Sequence, residues 1–206
     1  MNTYIPEELI EQIETLKENN DFKSALKLVN HILTRDPSNE EALLQIADIH
    51  YRQQDVDKAD KAMDFFNSQK KDDPLGLYIK GLLEMEKNHR EEARNILKKS
   101  LELVDGDNHE IRRCYGLCEY RYGNREKGIT HLQLAFQGNS KDVEVVYNLI
   151  QVFMLEKYYE KAETMIEYFF EHRDELETVE KELDWYEKKV KLFNKCIELE
   201  KKQGRK

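Results

Sequence analysis

A small residue returns along this chain at an almost constant interval: Ala25, Ala59, Ala93, Gly128 and Ala162, in steps of 34, 34, 35 and 34. Each sits in a similar phrase, DFKSAL, DVDKAD, HREEAR, NREKGI and YYEKAE, where a turn-forming or polar residue precedes charged residues and then the small one. A period of this length confines the chain to a stack of like supersecondary repeats, because one repeat cannot bury its apolar face alone and must lean on the next.

The register extends to both sides of the small residue. Four positions on stand Val29, Met63, Leu97, Leu132 and Ile166, and seven on stand Ile32, Phe66, Ser100, Ala135 and Phe169. The 4-then-3 spacing puts them on one helix face. Twelve positions before it come Ile13, Ala47, Gly81, Gly116 and Ile150, Ala or Gly in three of five, so a preceding helix can approach closely. Pro6, Pro37 and Pro74 fall where one helix stops or another starts. Turn-prone stretches separate the paired helices: Asn19-Asn20-Asp21, Gln54-Asp55, Asn88-His89, Gly123-Asn124 and Lys157-Tyr158. The reading is five helical hairpins at 6–39, 40–73, 74–108, 109–142 and 143–176, with the extra residue of the third in Val104-Asp105-Gly106-Asp107-Asn108.

These residues resemble the tetratricopeptide repeat (TPR) family over residues 6–176. The first repeat, EELIEQIETLKENNDFKSALKLVNHILTRDPSN, carries Ala25 and Pro37 at the family's small and proline positions, and KGLLEMEKNHREEA fits in the third. The early helix-A aromatic is missing, with Leu9, Leu43, Leu77, Arg112 and Val146 in its place, and Glu84 and Glu119 occupy a position where the family has a large aromatic. The resemblance implies an all-α fold: a right-handed superhelix of about five TPR hairpins with a concave, ligand-binding inner face.

Residues 177–206 have no partner helix. Leu176, Val179, Leu183, Tyr186, Val190, Phe193 and Ile197 follow a heptad pattern. The expectation is a long C-terminal helix with a basic tail whose first half caps the fifth repeat, since terminal repeats need a cover. Its overhang would pair with a second copy or fold back into the groove.

Charged residues make up 36% of the chain and the formal net charge is −9, which suits an elongated repeat stack and argues against general nucleic-acid binding. No apolar run approaches the length of a membrane helix, and the opening residues MNTYIPEELIEQIE lack the basic and apolar regions of a secretory signal, so the expected setting is cytoplasmic. Three cysteines do not suggest a disulfide framework.

Catalytic signatures are missing from the sequence. The glycines form no phosphate loop, and His109-Glu110 has no second histidine at zinc spacing. Asp105-Gly106-Asp107-Asn108 lacks the glycine and bidentate acid of a calcium loop. Cys114 and Cys118 share a helix face but read as buried thiols, and the six histidines fall at unlike repeat positions. The chain is expected to be no enzyme and to hold no metal or cofactor.

By the resemblance, helix A of each repeat lines the inner face. The implied partner-binding groove holds Leu44, Tyr51, Tyr78, Ile79, Leu82, Met85, Arg113, Leu117, Tyr120, Tyr147, Asn148 and Met154, with an acidic end at Glu7, Glu11, Glu14 and Glu18. The competing reading has these side chains pack neighbouring helices together. Family members that clamp a chaperone's C-terminal carboxylate use a Lys, Asn and Arg set of which only Arg113 and Asn148 find matches. The function expected is a protein-interaction adaptor or chaperone-like scaffold that binds a partner's peptide or amphipathic helix, its basic end toward the acidic first repeat. The alternatives are a homodimer through the C-terminal heptad helix and, as a minor one, an RNA-binding helical repeat.

Overall fold

The computed structural model describes residues 4–104, 108–178 and 180–203. Residues 105–107, weighed above as part of a calcium loop, and Val179 of the heptad pattern lie outside them. The chain divides into two compact units, Met1–Val104 and Asp105–Lys206. The first holds α1 (Glu7–Glu18), α2 (Phe22–Arg35), α3 (Glu40–Arg52), α4 (Val56–Gln69), α5 (Pro74–Glu86) and α6 (Arg90–Leu103). The second holds α7 (His109–Tyr122), α8 (Arg125–Gly138), α9 (Val143–Leu155), α10 (Tyr159–Glu171), a 3-10 turn (Arg173–Glu175) and α11 (Glu180–Gln203). Within each unit, consecutive helices pack as antiparallel neighbours. Among the described residues no strand occurs, only an isolated bridge between Asp142 and Glu177.

Short polar residues start most helices. The side chains of Asp21, Asn39, Asp55, Asp73, Asn108, Asn124 and Asp142 each accept a backbone N–H from the first turn of α2, α3, α4, α5, α7, α8 and α9 respectively. Such a cap is worth about 1 kcal/mol. Pro74 stands at the first position of α5, where its missing N–H costs nothing, and Pro6 sits one residue earlier, as the cap of α1.

The turn inside a hairpin is a repeated device. Asn20, Gln54, Asn88 and Lys157 adopt left-handed backbone with φ of 58°, 61°, 61° and 59°. The next amide in each case reaches back to close the helix: Asp21 N–H to Leu16 O (2.8 Å), Asp55 to His50 (2.9 Å), His89 to Glu84 (2.9 Å) and Tyr158 to Phe153 (2.8 Å). This is the Schellman closure. At the first two turns the residue that ends one helix also caps the next, so a single aspartate sets the reversal. In the fourth hairpin the turn is only Gly123 and Asn124, one residue shorter.

The expected core register is filled. Ala25, Ala59, Ala93, Gly128 and Ala162 are buried, as are the apolar residues four positions on. Ser100, the polar exception seven positions on, is also buried and donates its hydroxyl to Pro74 O at 2.6 Å. Helices α7 and α8 come closest together. A Cβ placed on Gly128 would lie 2.5 Å from the Tyr120 backbone nitrogen and 2.7 Å from Gly116 O.

The C-terminal segment differs from the long helix expected from residue 177. The backbone at Leu176 is extended, and Glu177 N–H bonds Lys141 O at 2.8 Å before the helix begins at Glu180. Helix α11 then lies against α9 and α10 along its length. Leu183, Val190 and Ile197 are buried in the core of the second unit, and Lys201 pairs with Glu163 of α10 at 2.6 Å. The described heptad positions from Leu183 to Ile197 therefore pack within the chain.

Candidate functional site

Two helix-A segments of the first unit enclose an apolar cleft of about 200 Å³. Leu44, Ala47, Asp48 and Tyr51 of α3 form one wall, and Ile79, Leu82 and Leu83 of α5 the other. Four groove residues expected from the sequence, Leu44, Tyr51, Ile79 and Leu82, meet here. Their spacing explains it: 44, 47, 48 and 51 stand at i, i+3, i+4 and i+7 on one helix face, and 79, 82 and 83 at i, i+3 and i+4 on α5. Ala47 keeps its wall low because it is the small residue twelve positions before Ala59, a signal visible in the sequence but assigned there only to helix packing.

The mouth is polar. The Tyr51 hydroxyl, at the exposed end of α3, donates to Glu86 at 3.4 Å. Asp48 is held from two sides, by Arg52 at 3.0 Å and by Lys17 of α1 at 2.6 Å. Lys17 is buried, with Glu14 at 2.7 Å and Gln45 Oε1 at 2.8 Å completing its shell. Burial pushes the Glu14 carboxyl up, but its hydrogen bonds from Lys17 and Gln45 outweigh this and hold it below the ordinary range. The acidic end expected from Glu7, Glu11, Glu14 and Glu18 is thus partly neutralised where it meets the cleft.

Other candidates lie elsewhere. Tyr78 is buried and Met85 half-buried outside the cleft lining. In the second unit, Arg113 is buried and paired with Glu144. Tyr120 is buried with its hydroxyl donated to Glu156 at 2.8 Å, and burial with that carboxylate pushes its pKa up to about 12. Asn148 is buried, and Leu117 and Met154 pack partly buried on the unit's core. Tyr147 lies under α11, its ring centroid 5.2 Å from Tyr186 and 5.6 Å from Trp185. The tyrosines share a role: Tyr51 reaches from α3 to α5, Tyr120 from α7 to α9, and Tyr186 from α11 back to Glu144 of α9 at 3.4 Å. Each ties one helix to a neighbour.

The two acids in aromatic positions are buried and satisfied. Glu84 accepts from His89 Nδ1 at 2.6 Å and pairs with Lys87 at 3.3 Å and Lys80 at 3.4 Å. Glu119 accepts from the Tyr115 hydroxyl at 2.8 Å and from Asn124 N–H at 3.2 Å. Glu84, His89 and Glu92 bring three ligand-type atoms within 4.8 Å of one another, yet Glu84 is already shared by two ammonium groups, which oppose a cation there. The cysteines Cys114 and Cys118 are free and buried, and Cys196 is free and exposed.

Residues 16–83, which contain this cleft, match the family model described as tetratricopeptide repeat. No curated protein matches the chain significantly. Solved structures do. PilW, described as a widely conserved type IV pilus biogenesis factor, aligns at a TM-score of 0.72 and 18% identity over 95% of this chain and 90% of its own. A thermophilic TPR protein of Thermus thermophilus aligns at 0.73 and 16% identity over 90% of this chain and 98% of its own. YrrB, described as a TPR protein with an unusual peptide-binding site, aligns at 0.55 and 18% identity over 77% of this chain and 81% of its own. At these identities the likeness is one of fold. The 34-residue register and the repeated hairpins agree with the tetratricopeptide repeat match over residues 16–83, and the chain as a whole shares the fold of these solved TPR structures.

Proposed function

We propose that this protein is a non-catalytic interaction scaffold whose first unit takes an apolar anchor of a partner's peptide or helix into the cleft between α3 and α5. The observation that carries this reading is the cleft itself: an apolar opening between partly exposed Leu44, Ile79 and Leu82, lined also by buried Ala47 and Leu83, with a tyrosine at the mouth. An open apolar pocket rimmed by polar groups suits one or two aliphatic or aromatic side chains and a few directing hydrogen bonds. Asp48 is already paired with Lys17 and Arg52, so it is Glu86, beside the Tyr51 hydroxyl at the rim, that favours a partner with a basic residue next to its anchor. The description of YrrB as peptide-binding supports the mode, and the net charge of −9 favours protein over nucleic acid.

In this reading the hairpins run 6–39, 40–73, 74–108, 109–142 and 143–176, and 177–206 is a capping segment. The second unit's inner residues, Arg113, Leu117, Tyr120, Tyr147, Asn148 and Met154, serve packing there rather than a partner. The setting is cytoplasmic, which the free thiols support. Among the described residues no helix is long and apolar enough to cross a membrane.

A displayed random-peptide library selected on the wild type and on Leu82→Glu tests the proposal. Leu82 is partly exposed on the cleft wall, so the variant should keep its helical circular dichroism. Selected peptides should carry an apolar residue next to Lys or Arg and lose at least tenfold in affinity on Leu82→Glu. Peptides that bind both proteins equally would place the site elsewhere.

A further inference from the structure

The outer face of α11 carries a second apolar stripe, opposite the one that packs on α9 and α10. Leu183, Val190 and Ile197 are 4%, 0% and 0% exposed, whereas Trp185, Leu192 and Leu199 are 49%, 56% and 57% exposed. Each exposed residue follows a buried one by two positions, about 200° around a helix of 3.6 residues per turn. Leu192 and Leu199 therefore point away from the chain's own core, and Trp185 leaves half its surface exposed while its ring lies 5.6 Å from Tyr147 of α9. The stripe's residues are seven apart, which at a rise of about 1.5 Å per residue sets them on one line over roughly 21 Å. One apolar residue per heptad is half of what a coiled-coil seam carries, so the stripe is a narrow line completed by the flanking side chains and not the broad face that lies in a lipid interface.

Charge says what fits the seam. Between its apolar residues stand Lys188, Lys189, Lys195 and Cys196, all exposed, and no acid occurs from Lys188 to Ile197. Lys189 lies over the Trp185 ring at 5.3 Å, and neither Lys188 nor Lys195 forms an ion pair among the described residues. A second copy of α11, in either direction, would set lysines against lysines. Exposed acids stand toward the two ends, Glu182 and Asp184 before Lys188 and Glu198 and Glu200 after Lys195, so the positive charge is confined to the middle of the stripe. We propose that this face of α11 docks an acidic amphipathic helix of a partner protein, with apolar residues against Trp185, Leu192 and Leu199 and Glu or Asp against Lys188, Lys189 and Lys195. The site lies in the second unit and is independent of the cleft between α3 and α5.

Trp185 is the chain's one tryptophan, so its emission reports on the seam directly. The probe is a synthetic 21-residue helical peptide of three heptads with leucine at a and d and glutamate at e and g. Its counterpart carries lysine at e and g. Titrating the full chain with the acidic peptide should shift Trp185 emission to the blue with saturation, and the basic peptide should leave it unchanged. The double variant Lys188→Glu/Lys195→Glu should invert the preference, binding the basic peptide at least tenfold more tightly than the acidic one. Both side chains are exposed, so the variant's circular dichroism should match wild type. Three results would overturn the proposal: no response to the acidic peptide, a blue shift with phosphatidylserine vesicles but not with the peptide, or a blue shift on concentrating the protein alone together with a doubled solution mass.

Discussion

Replacing Gly128 with alanine drives a methyl group into backbone. The new Cβ would lie 2.5 Å from Tyr120 N, 2.7 Å from Gly116 O and 2.7 Å from Tyr120 Cα, where ordinary contact begins near 3.4 Å. None of these atoms can rotate aside, so α7 and α8 must part locally by roughly 0.9 Å. That loosens the packing of Leu132 and Tyr120 in the core of the second unit. Overpacking of this kind costs about 1–3 kcal/mol, here toward the upper end, and alanine's better helix propensity returns about 1 kcal/mol. The expected net loss is about 2 kcal/mol, a urea midpoint lower by about 1 M at an m-value of about 2 kcal/mol/M. Urea unfolding followed by circular dichroism at 222 nm reads it. Gly81→Ala is the comparison: its Cβ meets the Leu97 side chain at 2.6 Å, which can change rotamer, so its loss should be smaller. A Gly128→Ala chain as stable as wild type, or less affected than Gly81→Ala, would refute the claim that backbone contact sets this glycine.

Three other perturbations follow from the same structure. Gln54→Gly relieves a left-handed backbone at φ 61° and should stabilise the first unit by up to about 1 kcal/mol in the same unfolding assay. Ile197→Ala, near the end of α11 yet fully buried, should cost about 2–4 kcal/mol by urea unfolding, where a free overhang would cost almost nothing. For Asp60 and Glu84, burial raises the carboxyls, but hydrogen bonds to Asp60 from Lys80 and Lys87, and to Glu84 from His89 and Lys87, more than offset it and hold both below their ordinary values. Their contribution to stability should be complete above the unfolded carboxylate pKa of about 4 and decline as the pH falls through the lowered folded values, a decline that Asp60→Asn should reduce in urea midpoints measured against pH.

The hairpins were legible because their determinants repeat. Ala25 and Ala59 mark a close helix crossing, Asp21 and Asp55 mark a turn, and a period of 34 turns weak local signals into one strong one. What escaped the sequence depends on partners distant along the chain. Glu84 and Glu119 looked misplaced in aromatic positions, yet Lys80, Lys87 and His89 satisfy one and Tyr115 with Asn124 the other. The inner tyrosines looked alike in register, but the Tyr51 hydroxyl meets Glu86 at the mouth of a cleft while Tyr147 lies under α11, and register alone does not tell an open face from a covered one. The heptad in α11 was visible, but not that its seam faces α9 and α10. The second stripe, Trp185, Leu192 and Leu199, has only one residue per heptad, too sparse a pattern to stand out from sequence beside the first.

The central claim, that the cleft between α3 and α5 receives a partner's apolar anchor, is tested most directly by methyl NMR. The labelled chain would be titrated with a library-selected peptide. The account predicts that the methyls of Leu44, Ile79, Leu82 and Leu83 shift together and saturate with one affinity, while those of Leu134 and Leu192 stay in place. Saturable binding that leaves the cleft methyls unmoved would contradict it.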